Sequence, residues 1–346
     1  MNADQPLLTI AIPTFNRARY LGELLACLLV ELAEQPSIEL LISDNASPDA
    51  TPQVVCDFQE RGLRLEYIRN KKNIGPDPNF RQCFERAKGK YVWVFGDDDL
   101  LVPGAIAKIV NLLDHRDYSL VYVSPYFFRT DPVAERTSDR LTRTAQILPG
   151  GVSFARKAGA MIGFLSAIIA NKQMYSSVQH ESLAKYADTN LMQIGWVCPL
   201  LAADAKTLFV WERLVAARGG NTGGWGICQV FGVNFKEIVD EALSGQPAVA
   251  RALQVATLRK WFPDMIMQIR RGDAKKMKDE RTRAILEPIY GKQWRYWTYV
   301  YPLIVLPLSA AGVWFDLILL SRRVETVVSM LVDSMFSAKS FVRDAE

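Results

Sequence analysis

Three consecutive carboxylates, Asp97-Asp98-Asp99, follow the apolar run Tyr91–Phe95 and Gly96 and precede Leu100-Leu101-Val102-Pro103. Like charges packed at the end of a hydrophobic strand raise one another's pKa unless a cation neutralises them. A divalent metal, Mg²⁺ or Mn²⁺, held by one or two of these carboxylates plus substrate phosphates is the economical way to neutralise them. One aspartate would suffice as an acidic N-cap for a helix opening near Pro103, so three exceed that need. A calcium EF-hand is excluded, because counting from Asp97 its glycine and glutamate places hold Val102 and Lys108. With only two histidines in 346 residues, any metal here is held by oxygen.

Other polar loops complement that cluster. Pro13-Thr14-Phe15-Asn16-Arg17 offers an aromatic ring for stacking on a base, a helix start and a cation for phosphates. Asp44 can accept hydrogen bonds from a base or ribose, and Asn73-Ile74-Gly75 supplies an amide and a flexible backbone point. Taken singly, each of these is also a turn signal.

The elements that must position them read as repeated β-α units. Strands are expected over Leu7–Ile12, Ile38–Ser43, Leu65–Arg69 and Tyr91–Phe95, with helices over Ala18–Leu32, Thr51–Arg61 and Pro78–Ala87. Such alternation predicts an α/β fold with a mostly parallel sheet flanked by helices, and the polar loops all fall at the C-terminal ends of its strands. Ligands bind outside those ends in open α/β sheets. Further on, a strand is expected over Ser119–Val123, a charged loop over Phe128–Thr144, helix over Glu181–Leu201, and a short strand Leu208–Val210 running into Trp211–Arg218.

The composition excludes several classes. A balance of 41 Lys+Arg against 37 Asp+Glu is too even for a nucleic-acid footprint. Five cysteines, never paired as C-x-x-C, argue for reduced thiols rather than a disulfide framework or zinc ribbon. Met1–Leu8 carries no secretory pattern, so the chain is expected on the cytosolic side.

The C-terminal part differs in kind. Seven Arg and Lys against three carboxylates lie between Arg270 and Arg283, ahead of a stretch, Tyr296–Leu320, in which Asp316 is the only charge. As one helix it would reach roughly 37 Å, against about 30 Å for a bilayer core. Pro302 and Pro307 interrupt it, and Lys292, Arg295, Arg322 and Arg323 make both flanks basic, so a re-entrant or in-plane element is expected. Val324, Val327, Val328, Leu331 and Met335 then share one face of an amphipathic helix. The tyrosines and tryptophans from Trp294 to Trp314 favour a membrane surface over a helical subdomain or a homodimer contact.

The stretches I-P-T-F-N-R, S-D-N-A-S-P-D-A-T, N-K-K-N-I-G and A-K-G-K-Y-V-W-V-F-G-D-D-D-L-L-V-P resemble the inverting family 2 glycosyltransferases of GT-A fold. Among these the chain is most similar to the O-antigen, abequosyltransferase type. The likeness is strong over Leu7–Leu113 and loose beyond.

It implies a nucleotide-sugar donor, with Pro13 and Phe15 against the base and Asp44 binding it, and with Arg17 and Asn73 on the donor. It further implies Asp97 toward the ribose, Asp98 as metal ligand with Asp99 supporting, and Arg218 near the diphosphate. Gly96 stands where many members carry the first aspartate. Tyr186–Leu191 resembles the region of the catalytic base, giving Asp188, with Glu181 and Asp204 in reserve. The acceptor implied is a glycan or polyprenyl-diphosphate-linked hydroxyl, at the cytoplasmic face of the inner membrane. A glycine-rich loop, Gly219–Gly224, could cover the donor while Trp225 stacks on a sugar.

This gives a glycosyltransferase domain over 1–234 (donor half 1–113, acceptor half 114–234), a charged helical region over 235–293 and a membrane-associating segment over 294–346. A sugar-nucleotide pyrophosphorylase would need a G-x-G-T-R-type loop where Pro13–Arg17 stands. A non-catalytic nucleotide-binding scaffold would not need the intact acidic triplet.

Overall fold

The computed structural model describes residues 5–136, 144–178, 182–203, 205–220, 226–272 and 281–343, with side chains to Glu325. Glu181, Asp204 and Trp225, and the side chains of Val327, Val328, Leu331 and Met335, lie outside the described residues. Two compact units divide the chain between Thr257 and Leu258, so residues 235–257 pack within the first unit rather than starting a separate helical region.

The first unit is built on nine strands: β1 (Leu8–Thr14), β2 (Ile38–Asp44), β3 (Glu66–Arg69), β4 (Tyr91–Val94), β5 (Leu100–Leu101), β6 (Leu120–Phe128), β7 (Ala145–Leu148), β8 (Ile168–Asn171) and β9 (Thr207–Arg218). They form one sheet in the order 3-2-1-4-8-6-9-5, with β7 also on β9. Strands β3, β2, β1 and β4 are parallel, β8 runs antiparallel between β4 and β6, and β9 lies parallel to β6. The mostly parallel α/β architecture expected from the β-α repeats is therefore present.

Helices α1 (Ala18–Glu31), α2 (Thr51–Glu60), α3 (Pro76–Arg86) and α4 (Ala105–Asp114) flank the sheet. Leu21, Leu24, Leu25 and Leu28 of α1 recur at helical spacing, and their stripe is wholly buried in a core shared with Leu8, Ile10 and Ile12.

Register positions the rim. Thr14 pairs with Asp44 and Asp44 with Arg69, so the last residues of β1, β2 and β3 stand in line. Phe95 donates its amide to Ala11 and extends the alignment to β4, delivering the aspartates to the same edge.

Two local readings change. Residues 181–201 are not one helix: a 3₁₀ turn at Leu183–Tyr186 is followed by an irregular loop and the helix Ile194–Ala202. Asp188 and Asn190 break the helical path with φ of 63° and 58°. Leu208–Val210 and Trp211–Arg218 form one strand, with a bulge where Val123 pairs with Val210 but Pro125 with Val215.

The second unit is helical, with Phe262–Arg270, Thr282–Tyr290, Tyr301–Val305 and Leu308–Arg343 as its α-helices. The chain extends at Leu306 before Pro307, so Tyr296–Leu320 is two helices rather than one. Among the described residues no helix is long and apolar enough to cross a membrane. Arg270, from the basic run, and Arg322, from the basic flank, are both engaged inside this unit. Arg270 caps the carbonyls of Leu303 and Leu306, and Arg322 forms a bidentate pair with Asp264 at 3.0 and 3.1 Å.

Candidate active site

Strand β4 ends in apolar residues and hands the chain to Gly96. A Cβ there would lie 3.1 Å from Asp99 Oδ2 and 3.2 Å from Ser166 Oγ, so a side chain at this place would crowd the cluster it introduces. The glycine amide instead donates to Ser166 Oγ at 2.9 Å. Asp97 and Asp99 are buried, whereas the Asp98 side chain keeps 14% of its surface.

Each aspartate has its own surroundings. Thr14 Oγ1 donates to Asp97 Oδ2 at 2.7 Å, and Arg17 Nη1 donates to Asp97 Oδ1 at 2.8 Å while standing 3.5 Å from Asp98 Oδ2. The amide of Arg218 donates to Asp99 Oδ1 at 2.8 Å, and Arg218 Nε to the Asp98 carbonyl at 3.0 Å. Burial pushes the Asp97 carboxyl up to about 6, against the pull of Arg17. Burial together with the neighbouring Asp98 charge pushes Asp99 up to about 7. Arg17 is held above its ordinary value because, although burial opposes its charge, Asp97 and Asp98 outweigh it.

The other rim loops converge on it. Asn16, at φ 55°, donates its amide to Ser47 Oγ, and Asp49 accepts the Ala18 amide at 2.9 Å, starting α1 from a neighbouring loop. That places Phe15 at the rim with 41% of its surface exposed, an open ring face next to Arg17. Arg218 sits between the rings of Tyr20 and Phe128 at 5.0 and 4.6 Å and pairs with Glu23. A cavity of about 350 Å³ opens there, lined by Arg19, Tyr20, Arg129, Thr130 and Arg218. Arg19 and Arg129 were not legible as site residues, because no motif spacing links them to the triplet.

Two expected donor contacts are differently employed. Asp44 is fully buried, accepting from the Ser47 amide at 2.8 Å and the Tyr67 hydroxyl at 2.6 Å, with Arg69 Nε at 3.4 Å. Both of its oxygens are occupied by the fold. Asn73 Oδ1 accepts from Asn45 Nδ2 and the Gly75 amide, both at 2.8 Å, and so shapes its own loop. Asn45, Asn70, Asn79, Gln82 and Ser43 continue this network beneath the rim.

Asp188 is exposed, on a loop that reaches the same rim through two links. Asp77, in the first turn of α3, accepts the Asn190 amide at 2.9 Å. Gln193 donates to the Gly163 carbonyl, and the segment from Gly163 leads to Ser166 beside the aspartates. Among the described residues no three His, Cys, Asp or Glu side chains converge to hold a metal by themselves.

This sheet, with acidic and cationic groups gathered at the C-terminal ends of its strands, has the architecture of a GT-A-like glycosyltransferase. It is shared with S. aureus TarS 1-349 in complex with UDP-GlcNAc, at a TM-score of 0.57 and 14% identity, covering 89% of this chain and 90% of that one. It is shared also with the mannosyltransferase PcManGT from Pyrobaculum calidifontis in complex with GDP-Man and Mn2+, at a TM-score of 0.52 and 15% identity over 90% and 87% of the chains. Residues 9–169 match the Glycosyl transferase family 2 model, so this stretch carries a family 2 glycosyltransferase domain.

Among curated relatives, Abequosyltransferase RfbV of Salmonella typhimurium is 28% identical over 231 residues, 62% of this chain and 67% of that protein. A GalNAc(5)-diNAcBac-PP-undecaprenol beta-1,3-glucosyltransferase of Campylobacter jejuni is 31% identical over 107 residues, 31% of this chain and 34% of its own.

Proposed function

We propose that this chain moves a sugar from a nucleotide-diphosphate donor to a hydroxyl of a glycan acceptor, with inversion, in the synthesis of a bacterial surface polysaccharide of O-antigen type. The observation that carries this reading is the meeting of the Asp97–Asp99 cluster with Arg17 and Arg218 at the ends of parallel strands. Acidic groups suit a metal and ribose, and guanidinium groups suit a diphosphate.

The residues present fit a divalent cation. The guanidinium of Arg17 already stands as a cation between Asp97 and Asp98, and the buried Asp99 carboxylate lies in the same cluster. Asp98 is the least buried of the three and would hold the ion together with the donor's phosphates, with Asp99 behind it. When bound, the ion neutralises charge on the departing nucleotide diphosphate.

The chain's own residues do the rest. Phe15 offers its ring face to the base, Asp97 stands toward the ribose, and Arg218 with Arg19 and Arg129 surrounds the cavity for anionic groups. Asp188, exposed on its loop, takes the proton from the acceptor hydroxyl as that oxygen attacks the anomeric carbon. Holding donor and acceptor on one rim supplies further rate.

The acceptor in this reading is lipid-linked, and the second unit rests on the membrane surface. Val313, Leu317, Leu320 and Val324 recur on one exposed stripe of the last helix, while Ala311, Phe315 and Ile318 face inward. The name of the Campylobacter relative, with its PP-undecaprenol substrate, agrees with such an acceptor. Incubation with a panel of nucleotide-sugars, scored for released nucleotide diphosphate with and without Mn²⁺ or Mg²⁺, tests the reading. No release from any donor with either ion would refute it.

A further inference from the structure

Asp77 is a carboxylate that the chemistry above does not use, and its position asks for a reason. It is 1% exposed, and its Oδ1 has no hydrogen-bond partner among the described residues. A carboxylate in the first turn of a helix ordinarily serves that helix's own amides and dipole. This one reaches outward to the amide of Asn190, 113 residues further along, at 2.9 Å. Burying a carboxylate with one oxygen unpartnered is costly, so an apolar residue here would be expected if packing were the only demand.

What Asp77 holds is a strained loop. Asp188 and Asn190 both sit in the left-handed region, at φ 63° and 58°, a conformation that persists only when the surroundings over-determine it. The opposite side of the same loop is held by Asn234, whose Nδ2 donates to the Thr189 carbonyl at 3.0 Å. Thr189 closes the turn internally, donating its hydroxyl to Tyr186 O at 2.7 Å and accepting the Leu191 amide at 3.1 Å. Tyr186 is fixed in turn by Gly195, where a Cβ would come within 2.4 Å of the tyrosine ring. The Asp188 side chain of this clamped turn is exposed.

We infer that Asp77 and Asn234 are positioning residues that clamp residues 187–191 from two sides and so fix where the Asp188 carboxylate stands for the transfer. The inference rests on the reading of Asp188 as the base. Asp77 lies at the N-terminus of α3, directly after the loop that follows β3, so the clamp ties the base to the edge of the sheet on which the donor is read. Thermal motion of the loop then cannot carry the base away from the donor's anomeric carbon.

The test compares Asp77→Ala, Asn234→Ala, Asp188→Asn and the double variant Asp77→Ala with Asp188→Asn, in the full chain. Steady-state transfer and nucleotide-diphosphate binding by calorimetry are both measured. A misplaced base should lower kcat by about 10- to 100-fold in Asp77→Ala while donor KM and nucleotide affinity stay within about twofold. The double variant should be no slower than Asp188→Asn alone, because a base that is absent cannot be mispositioned.

Wild-type kcat in Asp77→Ala while Asp188→Asn is inactive overturns the clamp alone, as does a fully additive loss in the double variant. Full activity in Asp188→Asn overturns the base reading, and the clamp with it. Should Asp77→Ala fail to fold, Asn234→Ala and the isosteric Asp77→Asn decide. The former should lose kcat, and the latter, which keeps an acceptor oxygen for the Asn190 amide, should recover most of it. The reverse order overturns the inference.

Discussion

Arg17 Nη1 lies 2.8 Å from Asp97 Oδ1 and 3.5 Å from Asp98 Oδ2, so one guanidinium spans two of the three carboxylates. The positive charge that the acidic rim demands is thus supplied in part by the chain itself, from the loop that also presents Phe15.

Removing that charge should expose the demand. Arg17→Gln is expected to lower stability by about 1–3 kcal/mol, the cost of leaving a buried charged group without its partner. Millimolar Mn²⁺ or Mg²⁺ should restore part of the loss in the variant more than in the native chain. Thermal unfolding with and without the ion checks both halves, and an identical ion response in the two proteins would count against a shared cation position.

Asp98 and Asp99 should separate when each is made an amide. Asp98→Asn is expected to fold normally and lose about 100-fold in transfer, with nucleotide-diphosphate binding no longer strengthened by the metal. Asp99→Asn keeps an acceptor oxygen for the Arg218 amide and removes a buried charge, so it should instead leave the chain at least as stable above about pH 7. Calorimetric titration with nucleotide diphosphate and Mn²⁺, beside urea unfolding, distinguishes them.

The raised carboxyls predict a direction for stability against pH. Asp97 and Asp99 bind protons more tightly folded than unfolded, so stability is greatest below the ordinary carboxylate range. It is lost as pH rises through about 6 and about 7. Without divalent ions the unfolding midpoint should therefore rise as pH is lowered from about 7.5 toward about 5. A midpoint that falls over that window would mean other groups outweigh the triplet.

Gly195→Ala should cost about 1–3 kcal/mol by overpacking. The added carbon meets Tyr186 Cδ2 at 2.4 Å and Leu183 Cδ2 at 2.9 Å, and neither ring nor leucine has room to retreat in a buried site. Urea unfolding gives the stability, and an unchanged midpoint would show that the helix start can shift to accommodate the carbon.

Replacing Val313, Leu317, Leu320 and Val324 by serine should weaken binding of the full chain to anionic-lipid vesicles by about 10-fold or more, through loss of buried apolar area. Donor-dependent release of nucleotide diphosphate with a soluble acceptor should be unaffected. Co-sedimentation with vesicles reads the first, and equal sedimentation of variant and native chain would remove the membrane reading of this stripe.

The four leading strands were legible because each is a short apolar run stopped by a polar residue at the same edge, and the fold brings Arg17 and Arg218 to Asp97–Asp99. Residue type did not disclose occupancy. Asp44 and Asn73 have the chemistry of ligands, yet Tyr67, Ser47, Asn45 and Gly75 take up their hydrogen bonds. Ser166 and Asp77 were invisible because their partners, Gly96 and Asn190, stand 70 and 113 residues away, beyond any local spacing. Helical periodicity misled over 181–201, where left-handed Asp188 and Asn190 win over an apolar pattern. The basic run from Arg270 to Arg283 and the basic flanks of the C-terminal stretch suggested surface charge, but Arg270 is spent on carbonyls and Arg322 on Asp264.

Strand β9 gives the site an order of assembly. It pairs with β6, β7 and β5, and its final residue supplies the amide that Asp99 accepts across 119 residues of chain. During synthesis the donor-half motifs emerge early, but the acidic rim stays open on one side until Arg218 has left the ribosome and the strand has closed the sheet. Such long-range closure slows folding. A nascent or truncated chain ending before Thr207 would carry the strands β1 to β4 and the three aspartates without the amide that Asp99 accepts, so the connectivity of the fold makes the rim the last part to be completed.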